Sequence, residues 1–211
     1  MLQALNTLSM TWKKMYNLDP STDTGAYILG ILWGTMSVGE SGFWVRHRDP
    51  WFVETVRTHL ELSPSIHAVS SATGPQYRLK IVRAETVRGL KALLERHGWT
   101  PRKDSIRPYP SGDIDDRGFI RAWTELHSHA DTFQAKRRNG THYPQKRLRI
   151  YGNFLLLDDI NRVICAGIGQ SPRKLQKTTN KTTKALYFQG SSVSLVLGWL
   201  YDGATISTER R

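Results

Sequence analysis

Basic and amide side chains crowd two short stretches of the chain. Lys136, Arg137, Arg138, Lys146, Arg147 and Arg149 fall within fourteen residues, and Arg173, Lys174, Lys177, Lys181 and Lys184 within twelve. Gln170, Gln176, Thr178, Thr179 and Asn180 flank or interleave the second run. A guanidinium can pair with both acceptors of guanine, and a primary amide with the donor and acceptor of adenine. Arginines mixed with amides are therefore the chemistry of reading base edges in a duplex major groove. A sparser set of the same kind comes earlier: Ser41, Trp44, Arg46, Arg48, Ser70, Gln76, Arg78 and Lys80. Lys91, Arg96, Arg102, Lys103 and Arg107 sit on a helix end and a linker, where phosphate contacts are expected rather than base contacts.

The overall balance agrees. Across 211 residues and 24.1 kDa, 30 Lys and Arg oppose 18 Asp and Glu, giving +12 and a pI near 10.0. Such an excess calls for a polyanionic partner. Nucleic acid fits better than a membrane face, because no basic amphipathic helix with an aromatic side is present and no apolar run reaches ~18 residues. With 39 % hydrophobic and 10 % aromatic residues the chain can bury a real core. A single Cys165 excludes a disulfide framework and a cysteine zinc site. No Walker-type glycine loop or Gly-x-Ser-x-Gly elbow occurs. The first residues lack a signal peptide's apolar stretch, so the expected setting is reducing and cytoplasmic, nucleoid-associated if the host is bacterial.

The elements that must position these residues repeat. An N-terminal arm is expected over 1–22. A helix follows near 25–34, capped by Asp23 or Thr24. A Ser-Val-Gly-Glu-Ser-Gly turn leads to a strand over 43–47, and Asp49-Pro50 opens a second helix. Strands over 65–71 and 76–82 surround Thr73-Gly74-Pro75. In 76–81 polar and apolar residues alternate, which gives one core face and one basic face. A third helix runs over 84–98. After a proline-rich linker at 101–112 the order returns: helix 113–128, strands 133–138 and 147–151, helix 153–166, strands 170–177 and 184–189, helix 191–201. The expected class is α+β, with two pseudo-symmetric αββαββα halves at 23–100 and 113–211.

Each half opens on a helix with a common pattern. Ile28-Leu29-Gly30-Ile31-Leu32-Trp33-Gly34-Thr35-Met36 starts the first, and Ile120-Arg121-Ala122-Trp123-Thr124-Glu125-Leu126-His127-Ser128 starts the second, 92 positions later. Gly30 and Gly34 lie on one helix face, so a second helix can approach closely. These stretches resemble the LAGLIDADG signature of homing endonucleases. Trp99-Thr100-Pro101 through Phe119-Ile120-Arg121-Ala122 resembles that family's linker, and Leu186-Tyr187-Phe188 with Leu197-Gly198-Trp199-Leu200-Tyr201-Asp202-Gly203 its closing helix. The resemblance implies two motif helices at a pseudo-twofold axis and antiparallel sheets forming a DNA-binding saddle along about twenty base pairs of major groove. It also implies an acidic residue at the eighth motif position that holds divalent metal for phosphodiester cleavage.

The eighth positions here are Thr35 and His127. A hydroxyl is a weak neutral ligand, and a neutral imidazole suits Zn²⁺ better than Mg²⁺. Leu126 stands where a small residue is expected, which predicts helices set further apart or skewed. Glu40, Glu125 and Asp131 are the neighbouring carboxylates that could replace the missing pair. The expectation is a monomeric, sequence-specific double-stranded DNA-binding protein that has lost cleavage, needs no metal and acts in transcriptional control. The alternatives are a site-specific endonuclease or nickase with a displaced Mg²⁺ site, and an RNA-binding splicing helper.

Overall fold

The computed structural model describes residues 18–39, 41–72, 74–101 and 107–208. Most of the expected arm, together with Glu40, Arg102 and Lys103, lies outside them. Helix α1 (Asp23–Thr35) is capped by Thr22, one residue before Asp23 and two before Thr24, the expected caps. The Thr22 hydroxyl accepts from the Gly25 amide at 3.1 Å, which leaves the Asp23 carboxylate in the first turn for another use. Strand β1 (Met36–Gly39) follows directly, so most of the expected turn is strand. The chain reverses into β2 (Gly42–His47), where Gly42 has φ +147° and an added Cβ would lie 2.1 Å from the Ile81 carbonyl oxygen. No other residue fits there. Helix α2 (Pro50–His59) begins as anticipated, with the Asp49 side chain accepting from the Trp51 amide at 3.1 Å. Strands β3 (Ile66–Val69) and β4 (Gln76–Ile81) and helix α3 (Ala84–Arg96) complete the unit.

The second unit repeats the order: α4 (Asp116–His127), β5 (Ser128–Lys136), β6 (His142–Gly152), α5 (Phe154–Gly167), β7 (Gln176–Lys177), β8 (Lys184–Gln189) and α6 (Ser191–Tyr201). Each unit carries one four-stranded antiparallel sheet, in the orders β1-β2-β4-β3 and β5-β6-β8-β7. The β5-β6 hairpin is longer than expected. The strand expected over 170–177 shrinks to two residues, because Asn161 of α5 takes the backbone instead. Its Oδ1 accepts from the Arg173 amide at 2.9 Å and its Nδ2 donates to the Arg173 carbonyl at 2.7 Å. Strand alternation then sorts the sheets. Phe43, Val45, Leu79 and Ile81 in one sheet, and Leu148, Ile150, Leu186 and Phe188 in the other, are buried on the helix-covered face.

Helices α1 and α4 run side by side in close contact. An added Cβ on Gly30 would lie 2.7 Å from the Ala122 Cβ, and one on Gly118 3.2 Å from the Ala26 Cβ. One on Gly34 would lie 3.0 Å from the Leu126 side chain. Residues 26 and 118, 30 and 122, and 34 and 126 are each 92 positions apart, so these three contacts each pair a residue with its own repeat, as an internal twofold axis requires. The expected separation at Leu126 does not occur, because Gly34 opposite leaves room for it. A C-terminal strap closes the pair. Buried Arg121 donates to the Asp23 carboxylate at 2.6 Å, the Ile206 carbonyl at 2.9 Å and the Leu200 carbonyl at 3.0 Å. Thr205 donates to Asp23 through its amide at 2.9 Å and its hydroxyl at 2.6 Å.

Candidate nucleic-acid interface

The faces of the two sheets that the helices leave open collect the expected polar residues. In the first sheet, cross-strand register aligns Ser37, Trp44 and Lys80 in one row, and Arg46, Arg78 and His67 in the next. Gln76, Arg78 and Lys80 alternate with buried Leu79 and Ile81, as the sequence pattern implied. Arg46 Nη2 donates to Ser37 Oγ at 2.8 Å. The Lys80 ammonium lies 5.3 Å from the centre of the Trp44 ring. Trp44 is therefore a residue of the open face and not of the core. Ser41 and Arg48 border β2.

The second sheet presents rows of His129, Arg149 and Tyr187, of Asp131, Arg147 and Gln189, and of Phe133 with Gln145. Arg147 donates to Asp131 through Nε at 2.9 Å and Nη2 at 2.7 Å, and its guanidinium lies 4.8 Å from the Phe133 ring centre. Arg149 Nη2 reaches the same carboxylate at 3.0 Å. The hydrogen bond from Arg147, above all, holds the Asp131 carboxyl below its ordinary value. Gln176 shares this face through its pairing with Ala185.

Not every expected residue comes here. Register puts Lys136, Lys146, Lys177 and Lys184 on the helix side of the sheet, though Lys136, Lys146 and Lys177 are exposed there. Arg137 and Arg138 lie in the β5-β6 hairpin loop, Arg137 at 5.1 Å from the Tyr143 ring centre. Lys174 and Lys181 are exposed outside the strands. Gln170 and Arg173 bond each other at 2.7 Å, and Arg173 also donates to Ser192 Oγ at 2.9 Å while covering the Phe188 ring on the helix side. Those two residues support the start of α6 instead of the open face. Arg107 is buried, so it does not stand where a phosphate contact was expected. It donates to the Thr100 carbonyl at 2.9 Å and to the Trp33 carbonyl, and it lies 4.7 Å from the Trp99 ring centre. His67, His129, Phe133, Gln145, Tyr187 and Gln189 belong to the open faces and were missed. Extending the alternation seen in 76–81 to every strand would have found them.

The C-terminal ends of α1 and α4 meet beside a cavity of about 280 Å³. Trp33, Gly34, Arg107, Trp123, His127 and Tyr151 form most of its wall. Thr35, next to it in sequence, is buried and donates its hydroxyl to the Ile31 carbonyl at 2.7 Å. The His127 ring stacks on Trp123 with centres 4.1 Å apart. Among the described residues no carboxylate lines this cavity, and Arg107 does. A hard dication needs anionic oxygen ligands, so the donor set here does not fit Mg²⁺. Two of the other candidate acids are committed elsewhere, Asp131 to Arg147 and Arg149. Glu125 accepts from the Tyr201 hydroxyl at 2.8 Å, the Thr208 amide at 3.0 Å and the Tyr27 hydroxyl.

Comparison with solved structures places this architecture. The chain overlays on the LAGLIDADG homing endonuclease I-LtrWI bound to target DNA with a TM-score of 0.59. The alignment covers 87 % of this chain and 84 % of that one at 8 % identity. The LAGLIDADG meganuclease I-CpaMI bound to uncleaved DNA gives 0.59 over 87 % and 86 % at 10 % identity. The chain has the LAGLIDADG homing-endonuclease fold. I-SmaMI bound to cleaved DNA agrees, with 0.54 over 90 % and 84 % at 12 % identity. No family model matches the sequence, and no curated protein does. Within the LAGLIDADG fold, α1 and α4 are the motif helices and the two open sheet faces form the saddle.

Proposed function

We propose that this chain is a sequence-specific double-stranded DNA-binding protein in which the homing-endonuclease fold is kept and cleavage is lost. The observation that carries the reading is the chemistry at the motif-helix ends. Both eighth positions lack a carboxylate, Thr35 is spent on its own helix, and Arg107 supplies positive charge to the adjoining cavity. Fixed cationic charge there works against a dication. The open faces support binding, because arginines, amides and aromatics alternate there with buried residues in both sheets. The protein acts as a monomer, since both motif helices lie in one chain and each fills the other's close-packing face. Duplex binding without cutting suits transcriptional control inside the cell.

Selection of bound duplexes from a random pool, followed by incubation of the winner with Mg²⁺ or Mn²⁺, tests this. The expected result is one preferred site of about twenty base pairs, left uncut. Cleavage by the unmodified protein that is abolished by Glu40→Gln or Asp131→Asn would overturn the loss of activity. Thr35→Asp with His127→Asp is expected to bring back Mg²⁺ affinity, readable by calorimetry.

A further inference from the structure

Among the described residues, Asp131 is the only carboxylate in a strand. It stands on the open face of the second sheet, directly across from Arg147 in the β5-β6 register. A negative charge there repels phosphate and so opposes duplex affinity. A bidentate pair within a three-charge network adds some stability. Geometry gives it a different role. Arg147 spends its Nε and one Nη2 proton on Asp131, at 2.9 and 2.7 Å, and rests on the Phe133 ring at 4.8 Å. The side-on edge of that guanidinium is occupied, and its end-on edge, from Nη1 to the second Nη2 proton, remains as a two-donor fork. That fork matches the N7 and O6 acceptors of guanine. Arg149 is tied to the same carboxylate at 3.0 Å, and its buried Nε has no acceptor among the described residues. Neither arginine can swing to a phosphate without breaking these bonds.

We propose that Asp131 is a specificity-determining positioning residue: it fixes Arg147 as a guanine-reading fork and keeps Arg147 and Arg149 off the phosphate backbone. The proposal rests on the DNA-binding reading above. It is tested with the full chain on the duplex selected by the parent protein and on its single-base variants, over a salt series. Asp131→Ala is expected to relax a guanine preference at one position by about tenfold. The same variant is expected to bind random duplex more tightly at low salt, with a log–log salt slope steeper by about 0.9 as one arginine turns to a phosphate. Arg147→Lys keeps the charge but not the fork, so it should lose the same preference with the slope unchanged. A parent that selects a sequence while Asp131→Ala keeps every preference and the parental slope overturns this proposal alone. A parent that selects no sequence overturns the DNA-binding reading as well.

Discussion

Alanine at Gly30 adds one methyl group at a point of closest approach between α1 and α4. The new Cβ would sit 2.7 Å from the Ala122 Cβ and 2.9 Å from the Phe119 carbonyl oxygen. Apolar carbons rest about 3.5–4.0 Å apart, so the helices must part by roughly 1 Å. One obstacle is a helix backbone oxygen, which cannot rotate away as a flexible side chain could. Two effects oppose each other. Alanine favours helix over glycine by about 0.8–1.0 kcal/mol. Overpacking a dense core costs about 1–3 kcal/mol. The clash wins because α1 is buried from Gly25 to Thr35 and has no solvent side there to yield toward, and the expected net loss is up to about 2 kcal/mol. Urea unfolding followed by tryptophan fluorescence, with buried Trp33 on the same helix, should show a lower midpoint and an unchanged slope. Adding Ala122→Gly removes the contact at 2.7 Å and leaves the one at 2.9 Å, so part of the loss returns, with a coupling above about 0.5 kcal/mol. Gly30→Ala as stable as the parent, or a second substitution that acts independently, refutes the close packing at this axis.

Gly198→Ala is the opposite case. That glycine lies within α6 with nothing near its missing Cβ, so alanine should raise stability by about 0.5–1 kcal/mol in the same urea assay. Binding to duplex should weaken steeply with salt. If about eight phosphates are neutralised, log K falls against log salt with a slope near −7, and a slope near zero in a fluorescence titration would remove nucleic acid as the main partner. Burial works to raise the Asp23 pKa, but the bonds from Thr205 and Arg121 outweigh it and hold the carboxyl below its ordinary value. Its contribution to stability is then full above the unfolded-state pKa of about 3.9 and is lost as pH falls through the lower folded-state value. Acid titrations of the unfolding midpoint should lose that part of their pH dependence in Asp23→Asn.

Much of the architecture was legible because it is set by neighbours in sequence. Asp49-Pro50 caps α2, Asn153 caps α5 through the Leu156 amide at 3.0 Å, and the closing strand and helix fall at 184–189 and 191–201 as read. The misread parts answer to distant partners. The strand at 170–177 was cut short by Asn161, more than a helical turn away in the preceding element. Arg107 looked like a phosphate contact in a basic linker, yet it is drawn inward by the carbonyl of Trp33, 74 residues earlier. Arg173 counted toward a basic run, but Gln170 and Ser192 claim its guanidinium. Density of charge along a chain says nothing about which sheet face each residue takes. Alternation does, and where it was clear, in Gln76, Arg78 and Lys80, the assignment to the open face held.

The same geometry separates the packing between the motif helices from the residue at the eighth motif position of α1. The contacts that join α1 to α4 form a column at residues 26, 30 and 34 against 118, 122 and 126, spaced four apart and so stacked on one helix face. The eighth motif position follows the last member of that column by one residue, about 100° further round the helix. Thr35 therefore points away from the axis, and its hydroxyl turns back to Ile31. The identity of residue 35 can therefore change without disturbing the column. Leu126 is accommodated in the column because Gly34 stands opposite it. His127, the eighth residue of the second motif, comes closer still, its Nε2 lying 2.7 Å from where a Cβ on Gly34 would stand. The two eighth positions are therefore not equivalent: Thr35 lies outside the packing between the helices, whereas a change at His127 meets the backbone of α1.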